Sequence, residues 1–315
     1  MATSNIGYPF QGRAWYWVEA TYGGGYSGTT LPISCFIQDV KIGSGDRTVP
    51  IRDISTAQVV ELMEQVPEPT LHIEYHPQAG DTLLDDAADR TSCCTLQSMA
   101  FLIETNKCMP TAEDSQFYFV GCMGNTIRIS GSKNTPYTIA IDLLAKSVVT
   151  INSSTATALA ATIAAGAPSP LAGTIMTFNM AGSIAKSAGL TARVTNSIDI
   201  SINNNLSTYS NAGATSPDYM VAGAQDITGS CDITLDDGGA VQLAEILANT
   251  AFTLTVTLGA AVGSPIITIP GCEWDSGDID VNVSGEAMIS STPWTSAPVS
   301  CVTEGVCTGL ITAVT

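Results

Sequence analysis

Along the second half of the chain, apolar and polar residues alternate with period two. Ile198, Ile200 and Ile202 are interleaved with Asp199, Ser201 and Asn203, and Phe252, Leu254, Val256 and Leu258 with threonines. Ile227, Gly229, Cys231, Ile233 and Leu235 alternate with Thr228, Ser230, Asp232, Thr234 and Asp236. Ile279, Val281 and Val283 alternate with Asp278, Asp280, Asn282 and Ser284. In the first half Tyr137, Ile139, Ile141 and Leu143 do the same against Thr138, Ala140 and Asp142. A strand turns successive side chains to opposite faces. Each segment therefore predicts a strand with one dry and one wet face in an antiparallel sheet.

Two short stretches carry a helical period instead. Leu96, Met99, Ala100 and Ile103 fall at i, i+3, i+4 and i+7, as do Ala240, Leu243, Ala244 and Leu247. Each gives one narrow apolar stripe, enough to cover one side or one open end of a sheet. Thr91 or Ser92 is placed to cap the first helix and Asp237 the second.

The order of elements recurs about half a chain apart. Ile33–Ile42 leads into a long excursion, Gly43–Pro69, then a strand Leu71–Tyr75, an acidic linker, the first helix, Phe117–Val120, Gly121-Cys122 and a closing hairpin. Ile198–Ile202 leads into Asn203–Ala224, then Ile227–Leu235, the second helix, Phe252–Leu258, Ile266–Ile269, Gly271-Cys272 and a closing strand. The pattern predicts a mainly β fold of two tandem antiparallel sandwich or barrel units with one short α-helix apiece. Residues 1–151 and 173–315 form the units, and 152–172 link them. A β-unit repeated in this way points to assembly rather than catalysis.

Charge adds a second asymmetry. The net charge is −18, with 13% of residues charged and 45% hydrophobic. Residues 1–193 hold all eleven Lys and Arg against sixteen acids, and residues 194–315 hold thirteen acids and no Lys or Arg. Such a balance is either a solubility device or a surface that avoids holding a polyanion. It disfavours a protein that grips nucleic acid, because phosphate contacts need clustered cations. Met1–Phe10 has neither the basic nor the apolar region of a signal peptide, and the weakly apolar Thr155–Met176 is broken by Pro168 and Pro170, so no membrane association is expected. Nine cysteines, an odd number, fit synthesis in a reducing cytoplasm, with disulfides left open after release. Cys35, Cys122, Cys231 and Cys272 are expected as small buried hydrophobes.

Candidate chemistry is sparse. His72, Glu74 and His76 would project from one face of a strand, where two imidazoles and a carboxylate suit a divalent metal; the same residues also make an ordinary wet face above Ile73 and Tyr75. Asp81, Asp85, Asp86 and Asp89, then Asp236-Asp237, then Asp275, Asp278 and Asp280 invite calcium, but none has the spacing of an EF-hand loop. No P-loop, dinucleotide fingerprint or nucleophile elbow is present, so no cofactor is expected and an enzyme is the weakest reading.

Three stretches carry a resemblance: Phe117–Cys122 with Asn125–Ser130 and Tyr137–Lys146; Ile198–Leu206 with Gly229–Leu235; and Ser284–Met288 near Pro293-Trp294. Together they resemble a phage tail tube protein of the longer form, in which the tube fold is duplicated. The resemblance implies a structural virion protein, made in the host cytoplasm, that self-assembles into stacked rings around a hollow lumen through which viral DNA passes without specific binding. Two folds per chain imply three chains in a pseudo-sixfold ring. The tape measure and tube-end proteins would be its other partners. Asp199 and Asp232 are then candidates to line the lumen. Gly43, Asp46, Arg47, Asn204, Asn205 and Tyr209, in the two excursions, are candidates for ring stacking. The alternative is a secreted, surface-layer or pilus-like adhesion protein, against which the missing signal peptide weighs.

Overall fold

The computed structural model describes residues 13–26, 31–33, 36–45, 48–52, 59–64, 66–88, 90–92, 95–104, 116–151, 176, 185–186, 195–235, 247–248, 251–258, 265–275, 288–296 and 311–313. The chain runs through β1 (Arg13–Val18), β2 (Leu31–Pro32), β3 (Ile37–Gly43), β4 (Thr48–Arg52), β5 (Val59–Glu64) and β6 (Thr70–Tyr75) into α1 (Leu83–Ala88). There follow β7 (Arg90–Ser92), β8 (Thr95–Leu96), β9 (Met99–Glu104), β10 (Gln116–Ser132), β11 (Thr138–Leu144), β12 (Ser147–Ile151) and β13 (Ala185–Lys186). The second half contributes β14 (Thr195–Asn203), β15 (Leu206–Tyr209), β16 (Tyr219–Ala222), β17 (Asp226–Leu235), β18 (Phe252–Thr257), β19 (Pro265–Trp274), β20 (Met288–Ser296) and β21 (Ile311–Ala313).

The period-two segments became strands, save 279–283, which lies outside the described residues, and the strands join into one antiparallel sheet. Its main path runs β13-β18-β19-β20-β17-β14-β10-β11-β6-β3. The two halves meet where β10 pairs with β14, from Thr126↔Asn203 to Ser132↔Ser197. On either side of that seam the order is the same: β10, β11, β6, β3 in the first half and β19, β20, β17, β14 in the second.

Details of the two runs correspond. β10 turns at Gly121 (φ 69°) and β19 at Gly271 (φ 64°), each followed by a fully buried cysteine. Opposite each glycine the ladder slips, between Phe119 and Cys122 against β9 and between Ile269 and Cys272 against β18. A glycine in the left-handed region is the residue such a bulge favours. β3 slips between Ile37 and Asp39 against β6, and β14 between Thr195 and Ser197 against β17.

β10 serves two layers. Before Gly121 it pairs with β9 and β12, and beyond it with β11 and β14. The main core takes Tyr16, Met99, Phe101 and Phe119 from the first layer and Ile73, Ile141, Ile129, Ile200 and Ile227 from the second, all fully buried. On the far side of the first layer, Trp15, Trp17, Ala100 and Leu102 form a second cluster against Tyr26 and Tyr118.

Two expectations need correction. Residues 96–103 are not a helix: Leu96 ends β8, and Met99–Glu104 is β9, paired with both β1 and β10. The run Met99–Ile103 is apolar throughout because both faces of β9 are covered, with Met99, Phe101 and Ile103 in one cluster and Ala100 and Leu102 in the other. A strand buried on both sides loses its alternation, so a helical stripe can be drawn through it. Thr91 and Ser92 accordingly lie in β7 and cap no helix.

The first-half helix lies instead in the acidic linker, where Leu83, Leu84, Ala87 and Ala88 are buried. Asp81 starts it, accepting the Leu83 N–H at 3.0 Å, and Asp85 and Asp86 occupy the first turn, where the helix dipole favours acids. Of the second predicted helix only Leu247 and Ala248 are described, and both are helical. Among the described residues no helix is long and apolar enough to cross a membrane.

Candidate functional surface

The alternation of the strands gives the main sheet one dry face and one continuous wet face. One row of side chains on the wet face can be followed from strand to strand. Asp39, Glu74, Ala140 and Arg128 in the first half continue into Ser201, Thr228, Thr295 and Glu273 in the second. None of these eight is buried, whereas Ile73, Ile141, Ile129, Ile200 and Ile227 on the opposite face are fully buried.

Asp199 and Asp232 both lie on this face. Asp199 is exposed, between Ser130 of β10 and Ser230 of β17. Asp232 is half-buried and accepts a 2.6 Å hydrogen bond from the Ser197 hydroxyl. Asp39, Glu74, Asp142 and Glu273 stand on the same face; among the described residues Lys41 shares a row with Asp142, and Arg128 shares one with Asp39, Glu74 and Glu273. Both cations are legible in the alternation, Arg128 between Ile127 and Ile129 and Lys41 between Val40 and Ile42. The surface is thus predominantly acidic with scattered cations, a composition that repels phosphate rather than clasping it.

His72, Glu74 and His76 do share the wet side of the sheet, but their imidazoles have other engagements. His72 Nδ1 lies 2.6 Å from Asp142 Oδ1 directly across on β11. His76 Nδ1 donates to the Tyr137 carbonyl at 2.8 Å, and its backbone N–H donates to Phe36. Among the described residues no group of three or more His, Cys, Asp or Glu is disposed to hold a metal ion.

The aspartates read as calcium candidates around α1 serve the fold. Asp81 caps the helix, and Asp86 accepts from the Tyr16 hydroxyl at 3.0 Å. Burial pushes the Asp81 carboxyl up to about 7, and burial pushes Asp86 up to about 6. Asp275 accepts from the Thr295 hydroxyl at 2.6 Å. Asp46, Arg47, Asp89, Asp236, Asp237, Asp278 and Asp280 lie outside the described residues.

Of the four cysteines expected to be buried, Cys122, Cys231 and Cys272 are buried free thiols and Cys35 lies outside the described residues; burial pushes Cys231 and Cys272 up to about 12.

Both long excursions contain a two-stranded hairpin. Gly43 ends β3, and β4 pairs with β5 beyond it; Asn203 ends β14, and β15 pairs with β16 beyond it. The second hairpin is an arm anchored at its base. Asn204 is fully buried there: its amide donates to the Gly124 carbonyl at 3.0 Å, and its side-chain oxygen accepts from Gln225 at 2.9 Å and from Arg90 at 3.3 Å. Arg90 also donates to the Gly223 carbonyl at 2.9 Å.

Asn205, at φ 48°, is exposed and hydrogen-bonds the Ala224 carbonyl and Asp226. Leu206, Met220 and Ala222 pack on Leu96 and Met123 of the first half. Farther out, Tyr209 and Tyr219 are 47% and 51% exposed and stack on each other with ring centroids 5.3 Å apart. Asn204 therefore holds the arm, while Tyr209 is on its outer part.

Sequence reasoning missed two further structural groups. Arg90, clamping the arm, stands in a segment with no pattern to mark it. Glu19 is nearly fully buried and gathers N–H groups from Gly23, Gly25 and Gly121 and the Ser98 hydroxyl. The glycines at 23–25 were its only signal. They are the loop that folds around a carboxylate.

No curated protein matches the chain. A family model described as phage tail tube protein matches residues 11–300, which span both halves of the sheet, and the chain belongs to the phage tail tube protein family.

Proposed function

We propose that this structural tail protein forms the hollow tube itself: chains close into rings, the rings stack, and viral DNA passes down the lumen. Each chain supplies two tube-fold units, residues 1–151 and 173–315, so that three chains make a ring of pseudo-sixfold appearance. The observation that carries the reading is the repeated sheet order about the β10–β14 seam, with the same glycine bulge in β10 and β19 and the same slip in β3 and β14. A sheet whose two halves already join edge to edge can continue from chain to chain by repeating that join. Closure into a ring also removes the open edges that an isolated sheet leaves.

The dry face of the sheet packs on the core, so its wet face is the one free to look into a channel. On this reading Asp199 and Asp232 line the lumen and repel phosphates over a Debye length of ~10 Å at moderate salt. The two hairpins reach the neighbouring ring. The tape measure and tube-end proteins meet the tube at its ends.

Electron microscopy of the purified chain tests the proposal. Hollow rings or tubes of uniform diameter, with three chains per ring, are expected. A ring of six chains in which only one half of each forms the wall would overturn the duplicated-fold reading, and protein that remains monomeric at high concentration would overturn the tube itself.

A further inference from the structure

The arm belongs to the second half, yet its base is fastened to the first. α1 ends at Ala88 and β7 begins at Arg90, whose guanidinium donates to the Gly223 carbonyl at 2.9 Å and to the Asn204 side-chain oxygen at 3.3 Å. Arg90 pairs across to Leu96 of β8, and Leu96 packs on Met220 and Ala222 of the arm. α1 also backs onto a second anchor, where the ladder of β10 on β11 slips between Gly124 and Thr126. There the Gly124 carbonyl accepts from the Asn204 amide at 3.0 Å, and the Asn125 carbonyl accepts from the Asn204 N–H at 2.8 Å. The Asn125 side chain accepts from the Leu206 N–H at 3.1 Å. The Ala87 carbonyl fills the space that a side chain at Gly124 would need, so the last turn of α1 lies directly on this anchor.

We infer that α1 and the arm base form one latch, linked through Arg90: a seated α1 holds the arm in place, and an α1 that lifts from the core lets the arm base come free. The arm of the second half is then set in position only on a chain whose first-half core has closed. The latch is a property of the single chain, so it goes beyond the tube reading and does not depend on it.

The seat of α1 is polar as well as apolar, and that makes the latch sensitive to protons. Leu83, Leu84, Ala87 and Ala88 enter the core, while the helix acids meet phenols. The Tyr16 hydroxyl of β1 donates to Asp86 at 3.0 Å and lies 2.6 Å from the Thr82 hydroxyl. Asp81 shares its buried pocket with the Tyr75 hydroxyl of β6. On α1 itself Asp85 stands beside Asp86 and pushes it up further. β10 meets the helix at Gly124, and β21, which also packs on α1, carries no titratable group. Burial raises both the Asp81 and the Asp86 carboxyls, so a seated helix holds protons that a lifted one releases. Lifting therefore becomes easier as pH rises, until Asp81 has lost its proton in the seated form as well.

Amide hydrogen exchange of the chain, kept too dilute to assemble, tests the latch. The amides of Asp86 in α1 and of Asn204, Leu206 and Gly223 at the arm base should open together, ahead of Ile200 and Ile227 in the sheet. After correction for intrinsic rates, that opening should grow at least about tenfold per pH unit from about 5 to about 7 and then level off. Asp81→Asn should flatten the slope at both places. Arg90→Met should keep the slope in α1 and abolish it at the arm base, whereas a contact that only steadies the arm would leave the slope in place. An arm base that exchanges at its own pH-independent rate, or only when the whole sheet opens, overturns the latch. So does an arm base that keeps the wild-type slope in Arg90→Met. Should Asp81→Asn fail to fold, the slopes of the wild-type chain and of Arg90→Met decide. No ring has to form for any of these outcomes, so failure of the latch leaves the tube standing, and failure of the tube leaves the latch.

Discussion

Trp294 of β20 lies directly across from Gly229 of β17, and the indole occupies the space that a side chain at Gly229 would need. A β-carbon built at Gly229 would come within 2.7 Å of Trp294 Cε2 and 2.5 Å of the Asp199 carbonyl oxygen. Trp294 is fully buried as a result. Gly229→Ala should therefore destabilise the chain by about 1–3 kcal/mol, the usual cost of overpacking, as a drop in the midpoint of chemical unfolding. An unchanged midpoint would mean that the indole has room to retreat.

Glu19 predicts a larger local effect. Glu19→Ala would leave the Gly23, Gly25 and Gly121 N–H groups and the Ser98 hydroxyl without their acceptor. Each buried donor so abandoned costs about 1–3 kcal/mol. The variant should lose protection of the amides at 23–25 and 121 in hydrogen exchange before the rest of the sheet opens. Uniform loss across the sheet would argue against a local clip.

Acidity should tell on α1. The Asp81 carboxyl holds its proton up to about 7 in the folded chain, whereas an ordinary aspartate releases it near 3.8. A raised folded value means that the folded state binds the proton more tightly. Its contribution is complete below the ordinary range and is lost as pH rises through about 7. Asp86, raised to about 6, acts in the same direction. Stability of the chain should thus fall from mildly acidic to neutral pH, and Asp81→Asn should flatten that fall. A variant with the wild-type slope would place the titration elsewhere.

The arm makes a prediction about polymer rather than subunit. Tyr209 and Tyr219 stack on each other and are each about half exposed, at 47% and 51%. Replacing both by serine should change the stability of the subunit by no more than about 1 kcal/mol. If the arm meets the next ring, the variant should still form single rings but few long tubes by electron microscopy. Tubes of normal length would assign the arm another role.

If Asp199 and Asp232 line the lumen, Asp199→Lys with Asp232→Lys should slow or stall DNA delivery by otherwise intact particles, with relief by added salt. Delivery at the wild-type rate would place these carboxylates away from the passing DNA.

How much of this was legible in the sequence depends on burial. Strands with one wet face, such as Ile198–Ile202 and Ile227–Leu235, declared themselves by alternation, and so did the side on which Asp199 and Asp232 stand. β9 did not, because a strand covered on both faces by β1-side and core residues has no polar positions to alternate with. α1 was hidden for the opposite reason: its buried face, Leu83, Leu84, Ala87 and Ala88, is short and set among aspartates that read as solvated linker. The pairing of β10 with β14 joins residues far apart along the chain, and no local pattern announces it. Nor does one announce that Arg90 reaches across to fasten an arm more than a hundred positions away.

The β10–β14 join has a consequence for how a ring would grow. Because both strands belong to one polypeptide, that join forms at the effective concentration set by the connecting segment rather than by the number of free subunits in solution. In a ring of three such chains every second join is prepaid in this way, and only the alternate ones depend on encounter. Growth would then respond to subunit supply through half of its contacts. Those contacts, freed from matching the tethered ones residue for residue, are where a chain of this kind can change how firmly its rings close without disturbing its own fold.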